Sequence, residues 1–173
     1  MKVLAIIPAY NEEDSIASTV DELKATAPGC DYLVVNDGSS DATERICRER
    51  GIRHVTHPVN LGLTGGFQTG CRYALAHGYD AVIQFDADGQ HMPDYIGPMI
   101  SEMETTGADI VIGAGYVSGR HARFQLMGQN LFVEDLGSKN GTAVNGRPVH
   151  DPVALRNKDL VTIGDVDIRV RNQ

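Results

Sequence analysis

Five short stretches hold residues whose types and spacing could do chemistry. Asp86-Ala87-Asp88 sets two carboxylates two residues apart, where the apolar run Ala81 to Phe85 gives way to a loop. Hard oxygen donors in that spacing suit Mg2+ or Mn2+, with substrate phosphates completing the coordination. A solvated Asp-Gly turn gives the same letters. Asp37 closes a second apolar run, where an acidic side chain can accept hydrogen bonds from a nucleoside. Ser39, Ser40 and Asp41 behind it read equally well as helix-capping residues. The stretch Gly62 to Gly66 is rich in glycine and precedes a helical pattern, so it could face a phosphate. It matches neither of the usual glycine-rich phosphate-binding patterns. Far along the chain, Ser118-Gly119-Arg120-His121 and Lys139-Asn140-Gly141 gather hydroxyl, cationic and amide groups. Read alone, those letters describe turns.

The elements that must position these residues fall into two grammars. Up to about residue 115, strand and helix patterns alternate. Val3 to Ile7, Tyr32 to Val35, His54 to Thr56, Ala81 to Phe85 and Asp109 to Ile112 are strands. Between them lie helices over about 14–27, 40–50, 67–77 and 93–105. Repeated strand-helix-strand units with short links predict a mainly parallel Rossmann-like sheet with helices on both faces. In such sheets ligands sit beyond the carboxyl ends of the strands, where PAYNEED (8–14), NDGSSD (36–41) and DADGQH (86–91) follow the first, second and fourth strands. After Val117 helical periodicity stops. Ala122 to Leu126, Leu131 to Glu134, Thr142 to Val144, Leu160 to Ile163 and Val166 to Val170 are short strands. Asn140-Gly141 and Asn145-Gly146 between them read as hairpin turns, and the segment as antiparallel β.

Charge follows the same division. Residues 1–115 carry a net −10 and residues 116–173 a net +2, together the −8 of the 173-residue chain. An acidic chain is a poor general nucleic-acid binder. No apolar window is long enough for a transmembrane helix, and the first apolar run is too short for a signal peptide. Cys30, Cys47 and Cys71 are widely spaced and odd in number, which predicts free thiols and a cytoplasmic setting.

Taken together and in order, PAYNEE (8–13), VVNDGSSDAT (34–43), NLGLTGGFQTG (60–70) and QFDADGQHMP (84–93) carry a resemblance. Residues 1–117 resemble the nucleotide-sugar-binding half of glycosyltransferase family 2, close to its dolichol-phosphate-mannose-synthase-like branch. The resemblance implies a GT-A fold and a UDP- or GDP-sugar donor. Pro8, Ala9, Tyr10, Glu12 and Asp37 would contact the nucleoside. Asp86 and Asp88 would hold Mn2+ or Mg2+ on the diphosphate, and Gln90 and His91 would reach the phosphates or sugar. His91 reads equally well as a plain loop histidine. In that family an acceptor-binding half follows and carries the catalytic base. Here the grammar changes instead and no residue stands where the base belongs, so donor binding with slow or absent turnover is expected.

YVSGRHARF, VEDLGSKNGTAVNGRPV and ALRNKDLVTIGDVDIRV, over about residues 109–173, resemble the C-terminal part of a forkhead-associated (FHA) domain. That family is a β-sandwich that binds phosphothreonine peptides. The resemblance implies Ser118, Arg120 and Lys139 at the phosphate, Asn140 at the peptide backbone, and His121 bracing the loop. The family's first strands carry a Gly-Arg whose arginine is the main phosphate ligand. Gly113-Ala114 stands at the nearest comparable place, so a weak or dead peptide site is expected.

The two resemblances overlap on Asp109 to Val117, with 1–115 as the α/β part and 116–173 as an FHA-like half-sandwich. One shared strand would splice two half-domains, neither closing its own core, which would then pack as one composite domain. An engineered or recombined chimera explains the splice, and a natural fragment reads the same way. The alternative functions are then a phosphopeptide-binding module and an inactive scaffold.

Overall fold

A computed structural model of the chain describes residues 1–87, 93–114, 118–164 and 166–170, with the backbone alone at 112–114, 118–120 and 166. It divides into two compact units, Met1–Pro93 and Asp94–Gln173.

The first unit is built on β1 (Val3–Ala9), whose side chains are buried almost without interruption. It runs parallel to β2 (Asp31–Asn36) on one side and β4 (Ala81–Gln84) on the other. Outside β2 lies β3 (His54–Thr56), giving the order β3-β2-β1-β4. A central parallel strand meets apolar neighbours on both faces, which is why its sequence is a continuous apolar run. Leu4, Ile6, Leu33 and Val35 pack with Ala74 of α3 (Gly62–Ala76). Val3, Ala5, Ile7 and Val34 alternate to the opposite face and are buried too. Ile16, Val20 and Leu23 form the buried stripe of α1 (Ile16–Thr26), which touches α2 (Thr43–Glu49).

Helix α3 starts at Gly62, five residues before the position the glycine-rich sequence suggested. Each helical glycine gives up about 1 kcal/mol relative to alanine. Close packing offsets that here. A Cβ on Gly70 would collide with the Ile6 side chain, and one on Gly66 would lie 3.4 Å from Cβ of Pro8. The glycines let the helix backbone approach β1 rather than form a loop. Ser15, at the N-cap of α1, caps no helical amide and donates its hydroxyl to Glu12 Oε2 at 2.6 Å.

In the second unit, a 3-10 turn (Pro93–Tyr95) leads into α4 (Ile96–Thr106). There follow β5 (Ile110–Ala114), β6 (Ser118–Met127), β7 (Asn130–Asp135), β8 (Thr142–Val144), β9 (Arg147–Pro148), β10 (Val153–Leu155), β11 (Leu160–Ile163) and β12 (Val166–Arg169). They make two four-stranded sheets, β10-β7-β6-β5 and β12-β11-β8-β9. Ala122, Phe124, Val133 and Leu155 from one sheet share a core with Val144, Val161 and Ile163 from the other. The segment therefore closes a core of its own, where the sequence suggested half a sandwich.

Strand β5 is not a fifth parallel strand, as its position in the alternating pattern suggested. It pairs antiparallel with β6, Ile110 opposite Phe124 and Ile112 opposite Ala122. A short link between neighbours permits antiparallel pairing, whereas a parallel partner needs a long crossover. Helix α4 goes with it. Arg123 on β6 pairs with Glu134 at 2.6 Å and Glu102 of α4 at 3.6 Å, and the Gln125 amide donates to the Thr106 carbonyl at 3.5 Å. The compact units consequently divide at 93/94, ahead of the change in sequence grammar near 115/116. Asn145 and Gly146 both take positive φ, 51° and 76°, and turn β8 into β9. Asn140-Gly141 is not a hairpin turn, because β7 and β8 lie in different sheets and of the pair only Gly141 has positive φ. Among the described residues, no helix is long and apolar enough to cross a membrane.

Candidate functional site

In the order β3-β2-β1-β4, the sheet reverses its direction of growth between β1 and β4. The crevice beyond that reversal is where open parallel sheets take ligands. Pro8, Ala9, Tyr10 and Glu12 lie at the β1 side of it, Asp37 behind β2, and Asp86 just past β4, carried there by the bond from Phe85 N to Ile6 O. Asp88, Gln90 and His91 lie outside the described residues, as do Gly89 and Met92.

The loops after β1 and β2 are laced together. Asn11, in the left-handed region at φ 57°, receives the Ser40 amide on its Oδ1 at 2.9 Å. Its own amide donates to Ser39 Oγ at 3.0 Å. Glu12 N donates to Thr43 Oγ1 at 2.8 Å, and Ala42 N to Glu13 Oε2 at 2.8 Å. Asp37 N meets the Ala9 carbonyl at 2.8 Å. These bonds fix the PAYNEE segment without using Tyr10, which is left exposed. Glu12, expected at the nucleoside, has one carboxylate oxygen engaged by Ser15.

Asp37 is buried, 4% exposed. Its Oδ1 accepts from His57 Nδ1 at 2.6 Å and Leu61 N at 2.9 Å, and its Oδ2 from Leu61 N at 3.1 Å and Gly62 N at 2.8 Å. Burial raises the carboxyl's pKa, and the bonds from His57, Leu61 and Gly62 outweigh it and hold it below the ordinary value. Each carboxylate oxygen has two lone-pair directions, so these contacts occupy the group. Asp41 is likewise held low: burial raises it, and bonds from Thr43 and Glu13 outweigh that.

Across the crevice, Asp86 is half-buried and accepts from the Gln84 amide at 3.0 Å. The next carbonyl, Ala87, receives the buried Thr19 hydroxyl of α1 at 3.0 Å, which pins the strand exit. Among the described residues no three His, Cys, Asp or Glu side chains cluster as a metal site. Asp86 offers the hard carboxylate oxygen that Mn2+ or Mg2+ prefers. His57, Thr69 and Thr19 were missed from sequence, because no local spacing links them to Asp37 or Ala87.

In the second unit, His121 Nε2 lies 2.9 Å from the Gly141 carbonyl and so braces the loop between β7 and β8. Asp135 organises the same loop, accepting from Gly137 N, Ser138 N and Oγ, and Thr142 Oγ1 at 2.6–3.0 Å. Burial raises its pKa, and the bonds from Ser138, Thr142 and Gly137 outweigh that. Lys139 and Asn140 are exposed on this loop. Ser118 and Arg120 begin β6, with only their backbone described.

The model of the family described as glycosyl transferase family 2 matches residues 4–158. An undecaprenyl-phosphate mannosyltransferase of Micrococcus luteus is 39% identical over 124 residues, 69% of this chain and 50% of that protein. The glucosyl-3-phosphoglycerate synthase of Mycobacterium tuberculosis, solved with Mn2+, UDP and phosphoglyceric acid, is 25% identical. The match covers 59% of this chain and 38% of that one, with a TM-score of 0.49. An FHA domain from Chlamydia trachomatis is 30% identical over 39% of this chain and 68% of its own, with a TM-score of 0.34. The chain spans about half the length of the curated relatives it matches. With the family model covering most of its length, the chain belongs to glycosyl transferase family 2.

Proposed function

We propose that the first unit binds a nucleoside-diphosphate sugar together with a divalent cation in the crevice between β1 and β4. The observation that carries this reading is the laced pair of loops after β1 and β2, set across the sheet reversal from Asp86. Pro8, Ala9 and Tyr10 would face the nucleoside, with Glu12 and Asp37 framing that end. Asp86 and Asp88 would hold Mn2+ or Mg2+, and Gln90 and His91 would lie toward the phosphates or sugar. A cation held there supplies charge neutralisation for a departing nucleoside diphosphate. Since the Micrococcus luteus relative is a mannosyltransferase, a mannosyl nucleotide is the first donor to test. Transfer by this chain alone is slow or absent, because beyond α4 the chain builds antiparallel sheets instead of extending the parallel one.

The test is titration of UDP, GDP and their sugars with and without Mn2+, on wild type and on Asp86→Asn and Asp88→Asn. Binding that needs the cation and is lost in both variants supports the site. Equal affinity in the variants removes the cation assignment.

A second reading, a phosphothreonine-peptide site on the second unit, is favoured by exposed Lys139 and Asn140 on the loop that His121 braces. A phosphothreonine peptide should then bind more weakly to Lys139→Ala than to wild type. No binding to either protein leaves the unit as a scaffold.

A further inference from the structure

Behind the nucleotide end of the crevice, three side chains from different elements form one hydrogen-bonded chain. Asp37 follows β2, His57 follows β3, and Thr69 lies on α3. The His57 ring bridges them, Nδ1 to Asp37 Oδ1 at 2.6 Å and Nε2 to Thr69 Oγ1 at 2.9 Å. The side chains of His57 and Asp37 are 11% and 5% exposed. The carboxylate also accepts the amides of Leu61 and Gly62, where the chain enters α3. The approach is tight: Gly38 sits at φ 71°, and a Cβ there would lie 2.7 Å from the Val59 carbonyl carbon.

We propose that His57 is a positioning residue for the nucleotide site: it aims the Asp37 carboxylate at Leu61 and Gly62, and so fixes the entry of α3 against Pro8. The consequence for binding rests on the function proposed above. An imidazole offers two nitrogens on separate edges of one rigid ring, so it can meet a carboxylate and a hydroxyl at once. An ionised Asp37 accepts from Nδ1–H, and the far ring nitrogen, Nε2, meets the Thr69 hydroxyl. The effect reaches the crevice because Gly66, one turn into α3, packs on Pro8, and Pro8 precedes Ala9 and Tyr10. The order carboxylate, imidazole, hydroxyl is also that of a hydrolytic triad. Thr69, however, lies inside α3, where backbone amides serve the helix's own hydrogen bonds rather than an oxyanion. The chain is a brace.

The experiment compares His57→Phe, His57→Asn and Thr69→Val with wild type. It measures UDP·Mn2+ and GDP·Mn2+ affinity by calorimetry and residue-resolved amide exchange without ligand. Phenylalanine keeps the ring's bulk and removes both nitrogens; asparagine restores a donor near Nδ1. The expected result for His57→Phe is affinity weaker by about tenfold or more, the scale of one charge-assisted bond. Exchange at Leu61 and Gly62 should accelerate while the amides of β1 and β2 keep their protection. Asparagine should recover part of the affinity, and Thr69→Val should show a smaller loss. Wild-type affinity in His57→Phe would overturn the proposal. So would acceleration spread evenly through β1 and β2, since that marks loss of general stability. If wild type binds neither nucleotide, the function proposed above fails, and the exchange arm still decides the brace. Selective acceleration at Leu61 and Gly62 keeps it; unchanged exchange removes it.

Discussion

Asp37 in the first unit and Asp135 in the second do similar work by different means. Each carboxylate follows or ends a strand, each gathers several donors, and each is held below its ordinary pKa against the opposing effect of burial. The partners of Asp37 are 20 to 25 residues away in sequence, on β3's exit and α3's entry. The partners of Asp135 are 2 to 7 residues away, within one loop. A loop held by its own neighbours needs little beyond its local sequence. A site held by distant elements exists only when the whole sheet has formed, and it fails as a unit when one partner is lost.

The largest expected effect is therefore at Asp37. Asp37→Ala strips acceptors from two backbone amides and an imidazole at a buried position. It should cost about 3 kcal/mol, measured by denaturant unfolding, and abolish nucleotide binding. A loss as small as a surface substitution would break the comparison. Asp135→Ala should cost less, about 1.5 kcal/mol, because its loop is more open to water. Its exchange changes should stay within 137–142, and spread into β1 or β2 would blur the contrast.

Acid should reveal both carboxylates. A depressed carboxyl contributes stability that is fully present above the unfolded value, near 3.8, and is lost as pH falls through the lower folded value. Wild type should thus lose stability below about pH 4, and Asp37→Asn should show a shallower acid limb than wild type. Parallel limbs would mean that Asp37 is not depressed. The smallest effect belongs to the exposed pair Arg50–Asp21, 2.8 Å apart with side chains 47% and 58% exposed. Arg50→Ala should change stability by less than about 0.5 kcal/mol and leave nucleotide affinity unchanged.

What sequence could disclose follows the same local and distant divide. Continuous apolar runs mark buried parallel strands, so β1, β2 and β4 were legible, as was the antiparallel β character of the chain beyond Val117. The Asn145-Gly146 hairpin was legible because its chemistry is confined to two residues. Strand β5 was misplaced, since Asp109 to Ile112 suits either sheet and only its pairing with β6 decides. The glycines of α3 read as a loop because their purpose, contact with Ile6 and Pro8, lies on another element. At the site, the acidic and PAYNEE positions were visible as motifs. His57, Thr69 and Thr19 were not, because their partners are 12 to 68 residues away.

The proposed function requires a cation and a nucleotide to meet in the crevice between β1 and β4. Paramagnetic broadening of amide resonances by substoichiometric Mn2+, with UDP or GDP present, reads that location directly. Broadening concentrated at Ala9 to Glu12 and at Asp86 and Ala87, and lost in Asp88→Asn, is the expected result. Broadening spread over surface carboxylates such as Asp159 and Asp167, indifferent to nucleotide and to that substitution, would contradict it.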